Sequence, residues 1–257
     1  MMYVRPKKHF GQHFLKDENI ALQISNSLSM HQNYKQVLEI GPGTGILTKY
    51  LFSSTAYQTR LIEVDTEAYQ YLLEKYPDKK DMIILGDFLR LDLSALFSEP
   101  FAVIGNFPYN ISSQILFAVL ENRNLVPEVV GMFQKEVAMR IAAGPNSKVY
   151  GIISVLLQAF YDIEYLFTVD EHVFNPPPKV KSAVIRLKRN NVQSLGCDEQ
   201  LFTKVVKQAF NQRRKTLRNA LRGLNMNPEL LASDILNKRA EQLSVADFFE
   251  ITNKIMV

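Results

Sequence analysis

The strongest chemical signal in the sequence follows the apolar run "AVIG", where Asn106, Phe107, Pro108 and Tyr109 stand in succession. A proline disfavours helical backbone in the residue before it, so the Phe107 carbonyl is held in an extended orientation. The Asn106 side-chain oxygen and this carbonyl can then face one ligand as neighbouring acceptors. Such a pair suits an aromatic amine, because it can orient the amine and stabilise positive charge that develops on its nitrogen.

Aromatic side chains near this turn indicate a ligand with a flat face. We expect Tyr109 to offer a surface on which an unstacked base lies, and Phe174 to close over the other side from the proline-rich segment "FNPPPKV". An Asn-x-Pro segment by itself is more often an ordinary turn. The chemical interpretation therefore depends on the elements around it.

A glycine turn and two carboxylates supply that context. Gly41, Gly43 and Gly45 follow the strand-like "VLEI", and glycine allows close approach of the backbone to a ligand. Glu63 and Asp87 end the next two strand-like runs, where acidic side chains commonly bind ribose. The spacing is not G-x-G-x-x-G, so no pyrophosphate is required. The set predicts a pocket for an adenosine-bearing cofactor, and S-adenosylmethionine fits best.

The elements that position these residues alternate between strands and helices. Apolar β-type runs occur at 37–40, 59–65, 81–88, 101–107 and 127–134, with helical stretches after most of them. This alternation predicts an α/β fold with a mainly parallel, Rossmann-like sheet covered on both faces, whose carboxyl rim binds ligands. The runs at 162–169 and 182–188 predict an antiparallel hairpin at one edge, with the prolines between them left unpaired at the rim.

The last part of the chain predicts a small all-helical domain. We expect a catalytic domain with an N-terminal arm over residues 1–190, and a helical domain over 191–257. A long helix is predicted from Asp198, as its N-cap, to Gly223. Its polar face is almost entirely cationic, which favours phosphate contact over a merely solvated face. The predicted RNA-binding residues are Lys204, Lys207, Arg214, Arg218 and Arg222.

Arg213 falls on the apolar side of the same predicted helix. We expect it to form a structural ion pair with a partner that the sequence does not identify, rather than to contact RNA.

Composition narrows the class of protein. The chain has 257 residues, a net charge of +4 and an isoelectric point near 9.0, a mild indication of a polyanionic partner. Cys197 is the only cysteine, so we expect no intrachain disulfide and no cysteine-based zinc site, and we assign no residue as a metal ligand. The charged N-terminus does not resemble a signal peptide, and no apolar run approaches the roughly 20 residues of a membrane span. We expect a cytoplasmic protein without membrane contact.

These motifs resemble a known family. "NFPY" resembles the Asn-x-Pro-Tyr motif of amino-directed adenine methyltransferases. Together with "KKHFGQHFLKDENI", "VLEIGPGTGILT", "VFNPPPKVKSAVIRL" and "QAFNQRRKTLRNAL", it is similar to the bacterial dimethyltransferases of small-subunit (16S) ribosomal RNA, from about Lys7 to the final helices. The resemblance implies a Rossmann-like S-adenosylmethionine-dependent methyltransferase that dimethylates two adjacent adenosines near the 3′ end of 16S rRNA during small-subunit assembly. We expect a monomer that does not act on DNA.

The resemblance also implies roles for individual residues in this chain. The cofactor-binding positions that it implies are His13, Leu15, Gly41, Gly43, Glu63, Asp87 and Asn106. In this match the two glycines flank the methionine part, Glu63 holds the ribose, and Asp87 holds the adenine edge. Asn106 lies at the interface with the target amine.

Two positions depart from the family pattern. Many members have Asn where this chain has His13, and Leu where it has Phe107. A histidine ring can still form a hydrogen bond, and position 107 acts through its backbone carbonyl. We therefore expect activity to survive both departures.

Other functions remain open at this point. A related dimethyltransferase that modifies a large-subunit adenosine and confers antibiotic resistance shares the turn, although "RRKTLRNAL" favours the small-subunit enzyme. A non-enzymatic assembly factor is a second alternative, but a pure binding protein has no need of the cofactor pocket. A DNA amino-methyltransferase lacks a candidate sequence-reading domain, and an NAD-linked enzyme disagrees with the glycine spacing.

Overall fold

The structure is a computed structural model that describes residues 4–256. The strands are β1 (Phe14–Leu15), β2 (Gln36–Ile40), β3 (Gln58–Glu63), β4 (Ile83–Leu85), β5 (Phe101–Asn106), β6 (Glu128–Gln134), β7 (Tyr161–Val169), β8 (Phe174–Asn175) and β9 (Ser182–Arg189). The α-helices are α1 (Glu18–Ser25), α2 (Thr48–Phe52), α3 (Thr66–Lys75), α4 (Leu93–Leu96), α5 (Ser112–Glu121), α6 (Lys135–Ala142), α7 (Ile152–Gln158), α8 (Glu199–Asn211), α9 (Leu217–Ala220), α10 (Pro228–Ala232) and α11 (Val245–Asn253). Short 3-10 helices lie at Lys8–Phe10, His31–Asn33, Pro77–Met82, Phe88–Arg90, Glu171–Val173, Asp234–Asn237 and Ala240–Gln242.

The central sheet has seven strands in the order β4-β3-β2-β5-β6-β9-β7. The pairs from β4 to β6 are parallel, and β9 runs antiparallel to β6. The prediction of a mainly parallel α/β sheet with an antiparallel edge is confirmed. The parallel order places the carboxyl ends of β2, β3 and β5 side by side, where the site residues follow.

The chain divides into two compact units. One contains the residues through Ala138 together with Ile163–Arg189, and the other contains Met139–Asp162 together with the residues from Asn190 onward. The sequence-based boundary near residue 190 did not anticipate that 139–162 belongs with the C-terminal helices. This segment packs there because Tyr150 meets Phe210 edge-on, with ring centroids 6.0 Å apart, and Asn146 donates its backbone N–H to the Glu241 carbonyl.

The predicted single helix over 198–223 is wrong beyond Asn211. Asp198 is the N-cap as predicted, since its carboxylate accepts the Leu201 N–H at 2.6 Å. The helix then ends and a new one, α9, begins at Leu217. Tertiary contacts override the helical pattern here, because the Leu217 N–H donates to the Lys238 carbonyl and the Arg213 guanidinium turns to the Lys148 carbonyl.

The same turn identifies the partner expected for Arg213. Its Nε lies 3.8 Å from the Glu241 Oε2, and its Nη2 donates to the Lys148 carbonyl at 2.5 Å. Arg213 thus links the turn after α8 to two other segments of the second unit. These contacts occupy its guanidinium, so it is less available for a phosphate contact than the exposed cations nearby.

No helix within residues 4–256 is long and apolar enough to cross a membrane.

A buried carboxyl beneath the glycine turn gives a testable stability effect. Glu39 on β2 is fully buried; Thr48 donates a hydrogen bond to one of its oxygens, and the other has no partner within residues 4–256. Burial raises the pKa of Glu39 to about 8, with the charge of Glu63 adding to the effect. An acid whose pKa rises on folding binds more protons in the native state than in the unfolded state. Its contribution to stability therefore falls as the pH rises from about 4.5 to about 8.

We predict that Glu39→Gln removes most of this pH dependence, because the amide stays neutral. Thermal unfolding at pH 6 and pH 9 should show a smaller loss of Tm for the variant than for the parent chain. Glu67→Gln, at an exposed position of α3, is the control and should behave like the parent. An equal loss of Tm in all three proteins would contradict the assignment.

Candidate active site

A cavity of about 190 Å³ lies at the carboxyl ends of the parallel strands. Its wall combines the glycine turn, the ends of β3 and β4, the segment after β5 and the N-terminal arm. The lining residues include Phe10, Gly11, Gln12, His13, Phe14, Gly41, Gly43, Glu63, Val64, Asp87, Asn106, Phe107, Pro108 and Tyr109. The cavity thus brings together most of the residues that the sequence proposed for cofactor and base.

The glycine turn is held by the carboxylate opposite it. Gly41 and Gly43 have φ of 66° and 56°, in the left-handed region, and a Cβ on Gly43 would lie 2.8 Å from the Phe14 ring. Glu63, only 2% exposed, accepts the Gly43 N–H at 2.9 Å on one oxygen and the Asp65 N–H at 3.0 Å on the other. Each oxygen keeps a second acceptor site for a ligand hydroxyl. Burial raises the pKa of Glu63.

Asp87 occupies the next strand end, two residues beyond β4. One of its carboxylate oxygens accepts the Leu89 N–H at 3.0 Å, which fixes the side chain at the start of a 3-10 helix. The side chain is 38% exposed and lies on the cavity wall. It can therefore accept a hydrogen bond from a ligand amine at the open side of the cavity.

The amide of Asn106 has a fixed orientation. Its Nδ2 donates to the backbone carbonyl of His13 at 2.9 Å. This bond uses one of the two N–H groups and directs Oδ1 away from the arm, and no group within residues 4–256 donates to that oxygen. The arrangement presents an acceptor at position 106, as the turn requires.

The Phe107 ring lies in a slot that two glycines leave open. Gly105 and Gly131 are register partners on β5 and β6. A Cβ on Gly105 would stand 2.8 Å from the Phe107 ring, and a Cβ on Gly131 would stand 2.4 Å from it. The ring is 1% exposed and also meets Phe133 edge-on. This packing anchors the residue whose carbonyl the sequence predicts to be the second acceptor.

Tyr109 is half-buried on the same wall. Its ring stacks on the His13 ring, with centroids 5.3 Å apart and an interplanar angle of 27°. Its hydroxyl lies 2.5 Å from the Ser182 Oγ. Burial raises the pKa of the Tyr109 hydroxyl, so the group stays neutral.

The N-terminal arm, residues 7–15, is tied down beside the cavity by contacts that the sequence did not indicate. Lys7 Nζ lies 2.5 Å from Asp65, and Gln12 Nε2 donates to the same carboxylate at 3.2 Å. These hydrogen bonds hold the pKa of Asp65 below its usual value although burial opposes them. Asp65 directly follows Val64 at the β3 end, a position that could have signalled an acidic anchor.

His13 contacts three parts of the site. Its backbone carbonyl accepts a hydrogen bond from the Asn106 amide, and its ring stacks on the Tyr109 ring. Its Nδ1 lies 2.8 Å from the Pro176 carbonyl. The ring hydrogen bond expected from the sequence exists, but it is directed at the backbone of the proline-rich segment.

Two residues proposed for the site do not line the cavity. Leu15 is 3% exposed and Phe174 is 1% exposed, and both belong to the hydrophobic core. They face each other as register partners in the small β1–β8 sheet. The prolines follow this pairing, so the segment is anchored just before them and Phe174 points into the core.

The five cations proposed for RNA are all exposed on the second unit. Lys204 and Lys207 lie on α8, Arg214 lies in the turn, Arg218 lies on α9 and Arg222 follows it. Within residues 4–256, none of them has a carboxylate within 4.0 Å. Because the helix ends at Asn211, the five cations do not lie on the polar face of a single helix, but none of them is paired with an acid within residues 4–256.

Comparison with protein families decides the identity of the chain. The model of the ribosomal RNA adenine dimethylase family matches residues 4–256. The chain belongs to this family. As a dimethylase it is an S-adenosylmethionine-dependent methyltransferase with an rRNA substrate.

Two relatives within the family are similar to the chain over nearly its whole length. The chain is 59% identical to a ribosomal RNA small subunit methyltransferase A of Cytophaga hutchinsonii, over 99% of both chains. It is 57% identical to the protein of that name in Flavobacterium johnsoniae, over 99% of this chain and 97% of the relative.

Two solved transferase structures share the fold. A dimethyladenosine transferase of Plasmodium falciparum matches with a TM-score of 0.76 at 24% identity, over 93% of this chain and 96% of that one. The 23S rRNA methyltransferase ErmE matches with a TM-score of 0.70 at 25% identity, over 93% and 99%.

The slot around Phe107 makes a prediction about this dimethylase. Gly131→Ala should lower stability by roughly 1–3 kcal/mol and lower the methyl-transfer rate, because the new Cβ displaces the Phe107 ring. Adding Phe107→Leu to the Gly131→Ala variant should restore much of the methyl-transfer rate, because the smaller side chain leaves room for the new Cβ. The measurements are Tm and kcat for the single and double variants.

Phe133→Leu is the matched control, since a Cβ at position 131 would also lie 2.6 Å from the Phe133 ring. It should recover stability without recovering kcat to the same extent. Equal recovery of kcat by both leucines would show that the slot acts on stability alone.

Proposed function

We propose that the protein transfers methyl groups from S-adenosylmethionine to the exocyclic amines of two adjacent adenosines near the 3′ end of 16S rRNA. The product is N6,N6-dimethyladenosine, formed during small-subunit biogenesis. The observation that carries the proposal is the orientation of the Asn106 amide, which donates to the His13 carbonyl and so leaves its oxygen as the end for a ligand, one residue before the Phe107 carbonyl.

The residues present fit S-adenosylmethionine. A Cβ at Gly43 would collide with the Phe14 ring, so only glycine lets the turn lie against the arm at the cavity wall, where Glu63 is also placed. Gly41 and Gly43 would flank the methionine part, Glu63 would hold the ribose, and Asp87 the adenine amine. The bound cofactor supplies an electrophilic methyl group.

The chain's own groups orient the nucleophile. The two N–H groups of an adenine amine can donate to the Asn106 Oδ1 and the Phe107 carbonyl, which aims the nitrogen lone pair away from both. These acceptors stabilise the positive charge that grows on nitrogen, so no strong base is required. Tyr109 would support the extruded base by stacking.

The small-subunit substrate is favoured over the alternatives. The identity of 59% to a small subunit methyltransferase A exceeds the 25% identity to the 23S rRNA methyltransferase ErmE. A non-enzymatic assembly factor would not need the Glu63–Gly43 bond or the Asn106–His13 bond. We further propose that the protein acts as a cytoplasmic monomer.

The second unit supplies the proposed RNA contacts. Five exposed cations without carboxylate partners in the described structure can contact phosphates: Lys204, Lys207, Arg214, Arg218 and Arg222. Such contacts release counterions and make binding depend on salt.

Asn106→Ala should abolish methyl transfer while leaving cofactor affinity and folding largely intact, because it removes one acceptor without touching the Glu63 wall. The measurement is transfer from radiolabelled S-adenosylmethionine to unmethylated small subunits, large subunits and naked RNA, followed by mapping of the modified base.

Dimethyladenosine in small-subunit RNA that disappears with the variant is the expected result. Label confined to large-subunit RNA would replace the proposal with the resistance activity. Absence of label together with tight subunit binding would favour an assembly factor.

Charge reversal at Arg218 and Arg222 should weaken binding to small subunits and reduce the salt slope by about 1.5, since each lost phosphate contact removes roughly 0.7–0.9. Binding is measured as a function of salt concentration. Lys79→Glu with Lys80→Glu changes net charge equally in the other unit and should leave the slope unchanged. An unaltered slope for the Arg218 and Arg222 variant would rule out these phosphate contacts.

A further inference from the structure

We propose that Ser182 is a positioning residue for the target base, and that its hydroxyl holds the Tyr109 ring in the orientation that receives the extruded adenine. The inference rests on the proposed function and assigns a role to Ser182, the first residue of β9.

The contact joins the Tyr109 side chain to β9, a paired strand of the central sheet. The Tyr109 hydroxyl lies 2.5 Å from the Ser182 Oγ. Ser182 is completely buried and is the first residue of β9, where it pairs with Gln134 of β6. A hydroxyl that projects from a paired strand has little freedom to move, so it fixes the outer end of the tyrosine ring.

The ring is also restrained on one face. The His13 ring stacks there, and His13 is itself held by its Nδ1 contact with the Pro176 carbonyl. An incoming base can therefore stack only on the opposite face. Contact at the hydroxyl and contact on one face together define the plane that the base meets.

The hydroxyl contact acts on the ring and is not needed to place the backbone. The Tyr109 carbonyl already accepts a hydrogen bond from the Ser112 hydroxyl at 3.3 Å, and Pro108 restricts the chain just before it. Without Ser182, the half-buried hydroxyl would need another partner, and the ring would turn about its two side-chain torsions to find one. The Ser182 bond thus prepares the stacking surface before the base arrives.

The test uses Ser182→Ala, Tyr109→Phe and the double variant with unmethylated small subunits and saturating S-adenosylmethionine. Each single change should lower kcat about fivefold, as expected for one neutral hydrogen bond. The double variant should lose no more than either single variant, because both changes remove the same bond. KM for the subunit should stay constant, since subunit binding depends on the cations of the other unit.

Ser25→Ala is the matched control, because Ser25 is a buried serine of the same unit whose hydroxyl donates to the Ala21 carbonyl, away from the turn. It should leave kcat unchanged. Tm and the Kd for S-adenosylmethionine are measured for every variant, and the Ser182 variant should match the parent in cofactor affinity.

Several outcomes would overturn the inference: an unchanged kcat for Ser182→Ala, additive losses of about 25-fold in the double variant, or a fall in cofactor affinity that parallels the fall in kcat. A parent protein that methylates no adenosine would instead contradict the proposed function. The two failures are therefore distinguishable.

Discussion

The site depends on the hydrogen bond from the Asn106 side chain to the backbone carbonyl of His13. An amide has a donor end and an acceptor end, and only the acceptor end can receive the N–H of a target amine. The bond assigns the donor end to the N-terminal arm. The arm must therefore be in place, and the contacts of Lys7 and Gln12 with Asp65 keep it there. Because Asp65 stands two residues after Glu63, the end of one strand contacts both the arm and the glycine turn.

Both departures from the family pattern have a structural explanation. The group that orients Asn106 is the main-chain carbonyl of His13, so an asparagine at position 13 could make the same bond. The larger ring at position 107 fits because Gly105 and Gly131 leave a slot for it. The turn thus depends on backbone groups and on empty space, neither of which is specific to one side-chain type at these positions. This explains why activity can survive both changes.

The sheet and the polar residues at its carboxyl rim could be predicted from sequence, because strand ends in a parallel sheet meet at one edge. The contacts that hold the N-terminal arm could not, since the Asn106–His13 bond joins residues 93 positions apart and the Lys7–Asp65 pair joins residues 58 apart. The break between α8 and α9 was also missed, because the helical spacing of apolar residues continues across 212–216 and the break comes from tertiary contacts. Burial of Phe174 was missed because its pairing with Leu15 is formed by two very short strands.

The central claim is that Asn106 and Phe107 present two acceptors to one amine. The most direct measurement is a structure of the protein on an unmethylated small subunit with a non-reactive cofactor analogue, resolved well enough to place the extruded base. The account predicts the adenine amine within about 3.2 Å of both the Asn106 Oδ1 and the Phe107 carbonyl oxygen. An amine that contacts neither oxygen, or an Asn106 amide turned so that its nitrogen faces the base, would contradict it.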